Sequence, residues 1–202
     1  MQNDASSFSL ESIRLMASVC TECELSAGRI NSVFDKGNPT SSIFICGMVP
    51  AEEENKQGLP FVGRAGKLLD QILEDVGLTL DGVYITNLVK CFLAPGKPLQ
   101  PEWISSCIPF LLAQLELIRP RVIIALGRDA SFALLPGSEN KSMGELRKEP
   151  HVFQSHIIVP TYHPSFLLRK GGGKGTNVYY QQTLEDFKRA SHACANKELK
   201  RN

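Results

Sequence analysis

The sequence predicts an α/β fold: a three-layer sandwich in which helices flank a central, mostly parallel four-stranded sheet. Three observations carry that reading. Short apolar runs alternate with longer amphipathic stretches, which is the pattern of βαβ units. The runs at 43–47 (IFICG) and 121–126 (RVIIAL) are apolar on consecutive positions, so both faces of those strands need cover. The runs also end at glycine or polar residues, namely Gly47, Asn87, Gly127 and Tyr162-His163.

The elements follow in order. Residues 8–23 place Phe8, Leu10, Ile13, Leu15 and Met16 at helical spacing and lead into Cys20-Thr21-Glu22-Cys23. A polar stretch precedes the strand at 43–47. Residues 50–63 read as loop, with Gly58, Pro60 and Gly63. Leu68, Leu69, Ile72, Leu73 and Val76 mark an amphipathic helix over 65–76, stopped by Gly77. Residues 83–87 are a second strand, 94–101 a Pro/Gly-rich loop and 102–118 a helix. The strand at 121–126 is followed by Gly127 and a helix through Leu135, and 152–161 forms a fourth strand region. A glycine-rich loop at 171–175 precedes a last helix over 179–194. Neither a repeat nor a linker interrupts the chain, so 1–202 is expected to be one domain with a polar tail at 195–202.

Composition narrows the class. Among 202 residues, 43% are apolar and 21% charged, which excludes intrinsic disorder, collagen-like repeats and coiled coil as the main state. No run approaches the roughly 18 apolar residues of a membrane span. Residues 1–15 carry Asp4 and Glu11 without a long apolar core, unlike a signal peptide. A cytosolic protein with no membrane partner is expected, and nothing demands more than a monomer. The net charge of +1 hides an asymmetry: residues 1–100 hold eight basic and twelve acidic side chains, and 101–202 hold fourteen and nine. The basic half either faces a polyanion or is a solvated surface whose charges intermix on folding.

Six cysteines without an export signal point to metal or redox chemistry rather than disulfides. Cys20 and Cys23 form a C-x-x-C, and Cys91 and Cys107 follow at a distance. Four thiolates suit an iron–sulfur cluster or a structural zinc, which spacing alone barely separates; unrelated buried thiols are the alternative to both. Cys46 lies in an apolar run and reads as core; Cys194 sits in a polar segment.

Ligands of parallel sheets bind off the carboxyl ends of the strands. The segment from Gly47 to Glu54, Asn87 and His163 all fall there. The acids Glu52, Glu53 and Glu54 are either a solvated run or place one carboxylate in a cleft. Phe61, between Pro60 and Val62-Gly63, suits an aromatic platform or a core position. Asn87 can read a base edge, since an amide donates and accepts at once, or can simply close a turn. His163, fixed by Pro164, stands at a cleft rim or is structural.

Together, several motifs in order resemble the family 4 uracil-DNA glycosylases, the iron–sulfur members of the uracil-DNA glycosylase superfamily. They are Cys20-x-x-Cys23, Gly58-x-Pro-Phe-Val-Gly-Arg-Ala-Gly66, Val83-Tyr-Ile-Thr-Asn-Leu-Val-Lys-Cys91, Cys107, Leu126-Gly127 and Tyr162-His-Pro-Ser-Phe-Leu-Leu-Arg169. The resemblance covers about residues 10 to 190. It implies a 4Fe-4S cluster on Cys20, Cys23, Cys91 and Cys107 that ties the N-terminal helix to the loop after the second strand. It implies that uracil-containing DNA is the partner and that a flipped uracil is cut from its sugar. Phe61 would stack on uracil, Asn87 would pair with O4 and N3, and His163 would stabilise charge at O2. Main-chain N–H groups of Gly47, Met48 and Val49 would face the base. Ser165, Leu167 and Arg169 would lie at the DNA, with Leu167 or Arg169 filling or flanking the gap in the stack. Glu54 matches a family acid that excludes the thymine methyl or assists the water.

Two motifs depart from the family pattern. Its Gly-Glu-Ala/Gly-Pro-Gly is Gly47-Met48-Val49-Pro50-Ala51 here, without the glutamate. Its Cys-Arg-Pro is Cys91-Phe92-Leu93. Two other classes therefore stand beside the enzyme: a non-catalytic or altered-specificity iron–sulfur DNA-binding protein, and a zinc-stabilised nucleotide-binding domain.

Overall fold

The computed structural model describes residues 8–172 and 177–195. The expected polar tail lies outside the described residues except for Ala195, as do positions 173–175 of the glycine-rich loop. In chain order the elements are α1 (Leu10–Val19), β1 (Lys36–Gly37), β2 (Ile43–Gly47), α2 (Glu52–Gln57), α3 (Arg64–Asp75), β3 (Tyr84–Asn87) and α4 (Pro101–Ile118). Then come β4 (Val122–Leu126), α5 (Arg128–Leu134), α6 (Met143–Leu146), β5 (His151–Phe153), β6 (His156–Thr161), α7 (Pro164–Arg169) and α8 (Val178–Ala195).

The strands form one sheet in the order β1-β3-β2-β4-β6-β5. The inner four are parallel, and β1 and β5 are antiparallel at the edges. The expected count of four is thus corrected to six. β1 is two residues long, too short to carry a period. β5 arises because the segment read as one strand folds back at Gln154, whose φ is 53°, so a continuous run became a hairpin. The segment read as loop over 50–63 contains α2, which has no apolar residue and therefore no periodicity to detect. Three glutamates at its start and Gly58 in the left-handed conformation at its end hold it instead.

The sheet is covered on both sides because its strands are apolar on both. Ile43, Ile45, Ile124 and Val159 meet Leu69 and Ile72 of α3 and Phe187 of α8. On the opposite face Phe44, Cys46, Ile123 and Ala125 meet Leu111 and Leu115 of α4 and Leu134 of α5. α1 starts in a capping box at Ser9 and lays Ile13 and Ala17 on Phe34 and on α4. Leu15 and Met16, read from the sequence as part of its apolar stripe, face solvent.

A buried cation anchors the end of β3. Lys90 is 1% exposed, and its ammonium donates to Thr86 Oγ1 (2.7 Å), Asn87 O (2.6 Å) and Gln114 Oε1 (2.7 Å). Three acceptors use all three donors, which is how an interior charge is tolerated. Burial still pulls its pKa down to about 8. β3 lies on one side of β2 and β4 on the other, so the winding reverses there and opens a crevice off their carboxyl ends.

Candidate active site

Gly47 and Asn87 are register partners at the ends of β2 and β3. A Cβ on Gly47 would stand 2.3 Å from Asn87 Oδ1 and 2.5 Å from Phe61 Cζ. The amide and the ring therefore converge over a backbone that admits no side chain. Asn87 is 2% exposed, and its side chain makes no hydrogen bond to a described residue. The amide, left without a partner among the described residues at the crevice, is free to take a ligand with a matching acceptor and donor.

His163 faces Phe61, with ring centroids 5.8 Å apart and planes tilted by 33°. It caps α7: the Ser165 main-chain N–H donates to His163 Nδ1 (3.1 Å), and Ser165 Oγ lies 2.8 Å from the same atom. A main-chain N–H only donates, so Nδ1 is the acceptor and the neutral ring carries its proton on Nε2. Burial, and then the charge of Arg169, push the His163 pKa down to about 4. The ring is neutral at ordinary pH. Gly127, at φ 86°, lets it seat closely, because a Cβ there would stand 3.0 Å from His163 Cβ.

The loop after β2 is tied to the segment after β3: Leu88 N–H donates to Gly47 O (2.9 Å) and Val89 N–H to Met48 O (3.0 Å). Met48 and Val49 are partly buried, and their own N–H groups donate to no described residue. Glu54 is buried on α2, and its Oε1 accepts from Val62 N–H and Gly63 N–H at 2.8 Å each. Lys36 Nζ donates to Phe61 O (2.8 Å).

The sequence reading of α7 needs one correction. Leu167 was assigned to the DNA, yet it is 0% exposed and belongs to the core. α7 lies on α3, so Pro164 and Leu167, three apart on one helical face, turn inward. Arg169 and Lys170 are exposed, and Ser165 and Leu168 partly so.

Cys20, Cys23, Cys91 and Cys107 border one recess between the end of α1, α4 and the segment after β3. Arg29 Nη1 donates to Cys91 Sγ (3.3 Å) and Cys20 O (3.0 Å), and Lys90 N–H donates to Cys107 Sγ (3.3 Å). Burial pushes the Cys107 thiol up to about 11, and the Cys91 thiol upward against the opposing pull of Arg29. Among the described residues no group of three or more His, Cys, Asp or Glu side chains is arranged to hold a metal ion as it stands. The donor set nonetheless fits an iron–sulfur group: four thiols from three segments share one recess, with Arg29 and Lys90 beside them to offset thiolate charge. Cys46 stays apart inside β2, its thiol raised to about 12 by burial. Lys90 stands between the two sites, its N–H on Cys107 and its ammonium on the Asn87 carbonyl.

Residues 34–188 match the profile of the Uracil DNA glycosylase superfamily. The chain belongs to this superfamily. A type-4 uracil-DNA glycosylase of Thermotoga maritima is 40% identical over 172 residues, covering 85% of this chain and 87% of that protein. One of Sulfurisphaera tokodaii is 36% identical over 167 residues, 79% and 76% of the two chains. A type-5 uracil-DNA glycosylase of Thermus thermophilus is 35% identical over 177 residues, 76% and 77%. The superfamily segment holds Gly47, Phe61, Asn87, Cys91, Cys107 and His163, while Cys20 and Cys23 precede it.

Three residues of the site escaped the sequence reading: Lys36, Lys90 and Arg29. Lys90 left a trace, a single charge inside the apolar run Leu88-Val89-Lys90-Cys91. Lys36 and Arg29 sit in polar segments where a paired cation looks like any solvated one.

Proposed function

We propose that this protein is a monofunctional uracil-DNA glycosylase of base excision repair. The observation that carries the proposal is the Asn87 amide, buried and unpaired among the described residues, beside Phe61 and the neutral His163. Uracil flipped from the duplex stacks on Phe61 and meets Asn87 with O4 and N3–H. As the N-glycosidic bond breaks, its electron pair moves onto the base and charge gathers at O2. His163 Nε2–H and the free N–H groups of Met48 and Val49 supply donors there without reorganisation. Water adds to C1′ and leaves an abasic site. No lysine is read as a Schiff-base nucleophile, so strand cleavage is not expected. The four cysteines hold a 4Fe-4S cluster, whose contribution is a cross-link between α1, α4 and the segment after β3. Met48, where the family carries glutamate, favours one rival: a non-catalytic DNA-binding protein of the same fold. A uracil-release assay on uracil-containing duplex decides between them, and absence of free uracil would overturn the proposal.

The neutral histidine predicts a pH profile. Release should hold as pH is lowered through 6.5, the ordinary imidazole value, and fall only as pH nears about 4, where His163 protonates. Single-turnover rates across that range check this. A decline centred near 6.5 would mean that the ring titrates as an exposed one.

Arg169 and Lys170 are expected to meet phosphates. Replacing both with glutamine should weaken duplex binding uniformly across sequences. The slope of log affinity against log salt should fall by about 2, roughly one unit per contact. An unchanged slope places the duplex elsewhere.

A further inference from the structure

Phe61 adopts a backbone conformation that phenylalanine seldom does. Its φ is 54°, in the left-handed region, where Cβ crowds the carbonyl of a bulky residue. Three elements hold it there: β1, distant in sequence, and the flanking helices α2 and α3. From β1, Lys36 Nζ donates to Phe61 O (2.8 Å). From α2, Glu54 Oε1 accepts the next two N–H groups, those of Val62 and Gly63, at 2.8 Å each. From α3, Gly66 leaves the space: a Cβ on it would stand 1.9 Å from Phe61 O and 2.8 Å from Phe61 Cα. Glu52 and Glu53 on the same helix face solvent, whereas Glu54 is 5% exposed. Its Oε2 has no partner among the described residues, so the two amides following Phe61 are what its burial serves.

We infer that Glu54 and Lys36 are positioning residues for Phe61, a two-sided clamp that holds the ring over Gly47 against its own backbone preference. An anion grips the amides after the residue and a cation grips its carbonyl. One oxygen of the carboxylate is thereby committed to main chain. Glu54 then acts through the stacking platform, and neither its charge nor its proton takes part in bond cleavage. The inference rests on the reading of Phe61 as the surface that receives uracil.

Two readouts on purified full-length protein test it: hydrogen exchange of the peptide spanning residues 59–66, and single-turnover uracil release. Glu54→Ala should speed exchange of that peptide by about tenfold and slow release by about 10–100-fold, with duplex affinity unchanged. Glu54→Gln retains a carbonyl acceptor for both N–H groups, and both readouts should stay within about threefold of the parent. Parent-level exchange in Glu54→Ala overturns the clamp. Release as slow in Glu54→Gln as in Glu54→Ala, with the peptide still protected, assigns Glu54 to the chemistry and also overturns it. Should Glu54→Ala fail to fold, Lys36→Met decides by the same exchange measurement: faster exchange supports the clamp, and unchanged exchange overturns it. A parent that releases no uracil would sink the functional reading alone, because the exchange comparison still judges the clamp.

Discussion

Asn87→Ala is expected to cut uracil release by about 10²-fold or more, while duplex affinity and the colour of the protein stay at the parent level. Uracil offers O4 as an acceptor and N3–H as a donor, and the amide answers both, NH₂ to O4 and oxygen to N3–H. Each partner left unpaired costs roughly 1–3 kcal/mol, and every 1.4 kcal/mol is about tenfold. The same chemistry rejects cytosine, whose C4 amino group and bare N3 invert the pattern. Asn87→Asp should therefore lose uracil, because a carboxylate repels O4, and should gain some cytosine release, because it accepts from the C4 amino group. Release assays on matched uracil and cytosine duplexes read both outcomes. The structure makes the variants informative: the position of residue 87 depends on its carbonyl, which Lys90 holds, and not on its side chain. Parent-level uracil release by Asn87→Ala would reduce the residue to a turn former and move the pocket elsewhere.

The second large effect concerns the cysteines. Cys91→Ser combined with Cys107→Ser is expected to give protein that is colourless after anaerobic purification, against about four irons per chain in the parent. The thermal midpoint should fall by on the order of 10 °C. Ligands at Cys20 and Cys23 joined to Cys91 and Cys107 close loops of many tens of residues. By analogy with a long-loop cross-link the tie as a whole contributes about 4 kcal/mol, and 1 kcal/mol moves the midpoint of a chain this size by roughly 2–4 °C. Cys46→Ser and Cys194→Ser should leave colour and iron unchanged, since neither side chain borders the recess. Iron analysis, visible absorption and calorimetry check the set. A parent that is colourless and holds a single zinc would overturn the cluster and keep the cross-link.

The two tests probe features of unequal legibility. Gly47, Asn87 and His163 were legible as candidates because they follow the apolar runs of the strands, and Phe61 because Pro60 and Gly63 punctuate its loop. Glu54 was readable as an acid, but its work was not. Three glutamates in a row look alike until folding turns Glu54 inward, where Val62 and Gly63 present their amides. Leu167 misled for the opposite reason. It lies in a motif expected at the DNA, yet on the face of α7 that packing on α3 buries.

By itself the sequence determined the inner sheet, the longer helices that cover it and the end of the sheet at which the candidate residues gather. Those features follow from local periodicity, since an apolar run needs cover on both faces and its terminating polar residues must emerge at one edge. Tertiary structure alone decided the two antiparallel edge strands, the short acidic helix α2 and the inward turn of Glu54 and Leu167. It also decided the pairings of Lys36 with Phe61 and of Lys90 with Asn87. Each of these depends on a partner brought near by folding: β1 exists only beside β3, and an interior ammonium is tolerated only where three acceptors converge on it.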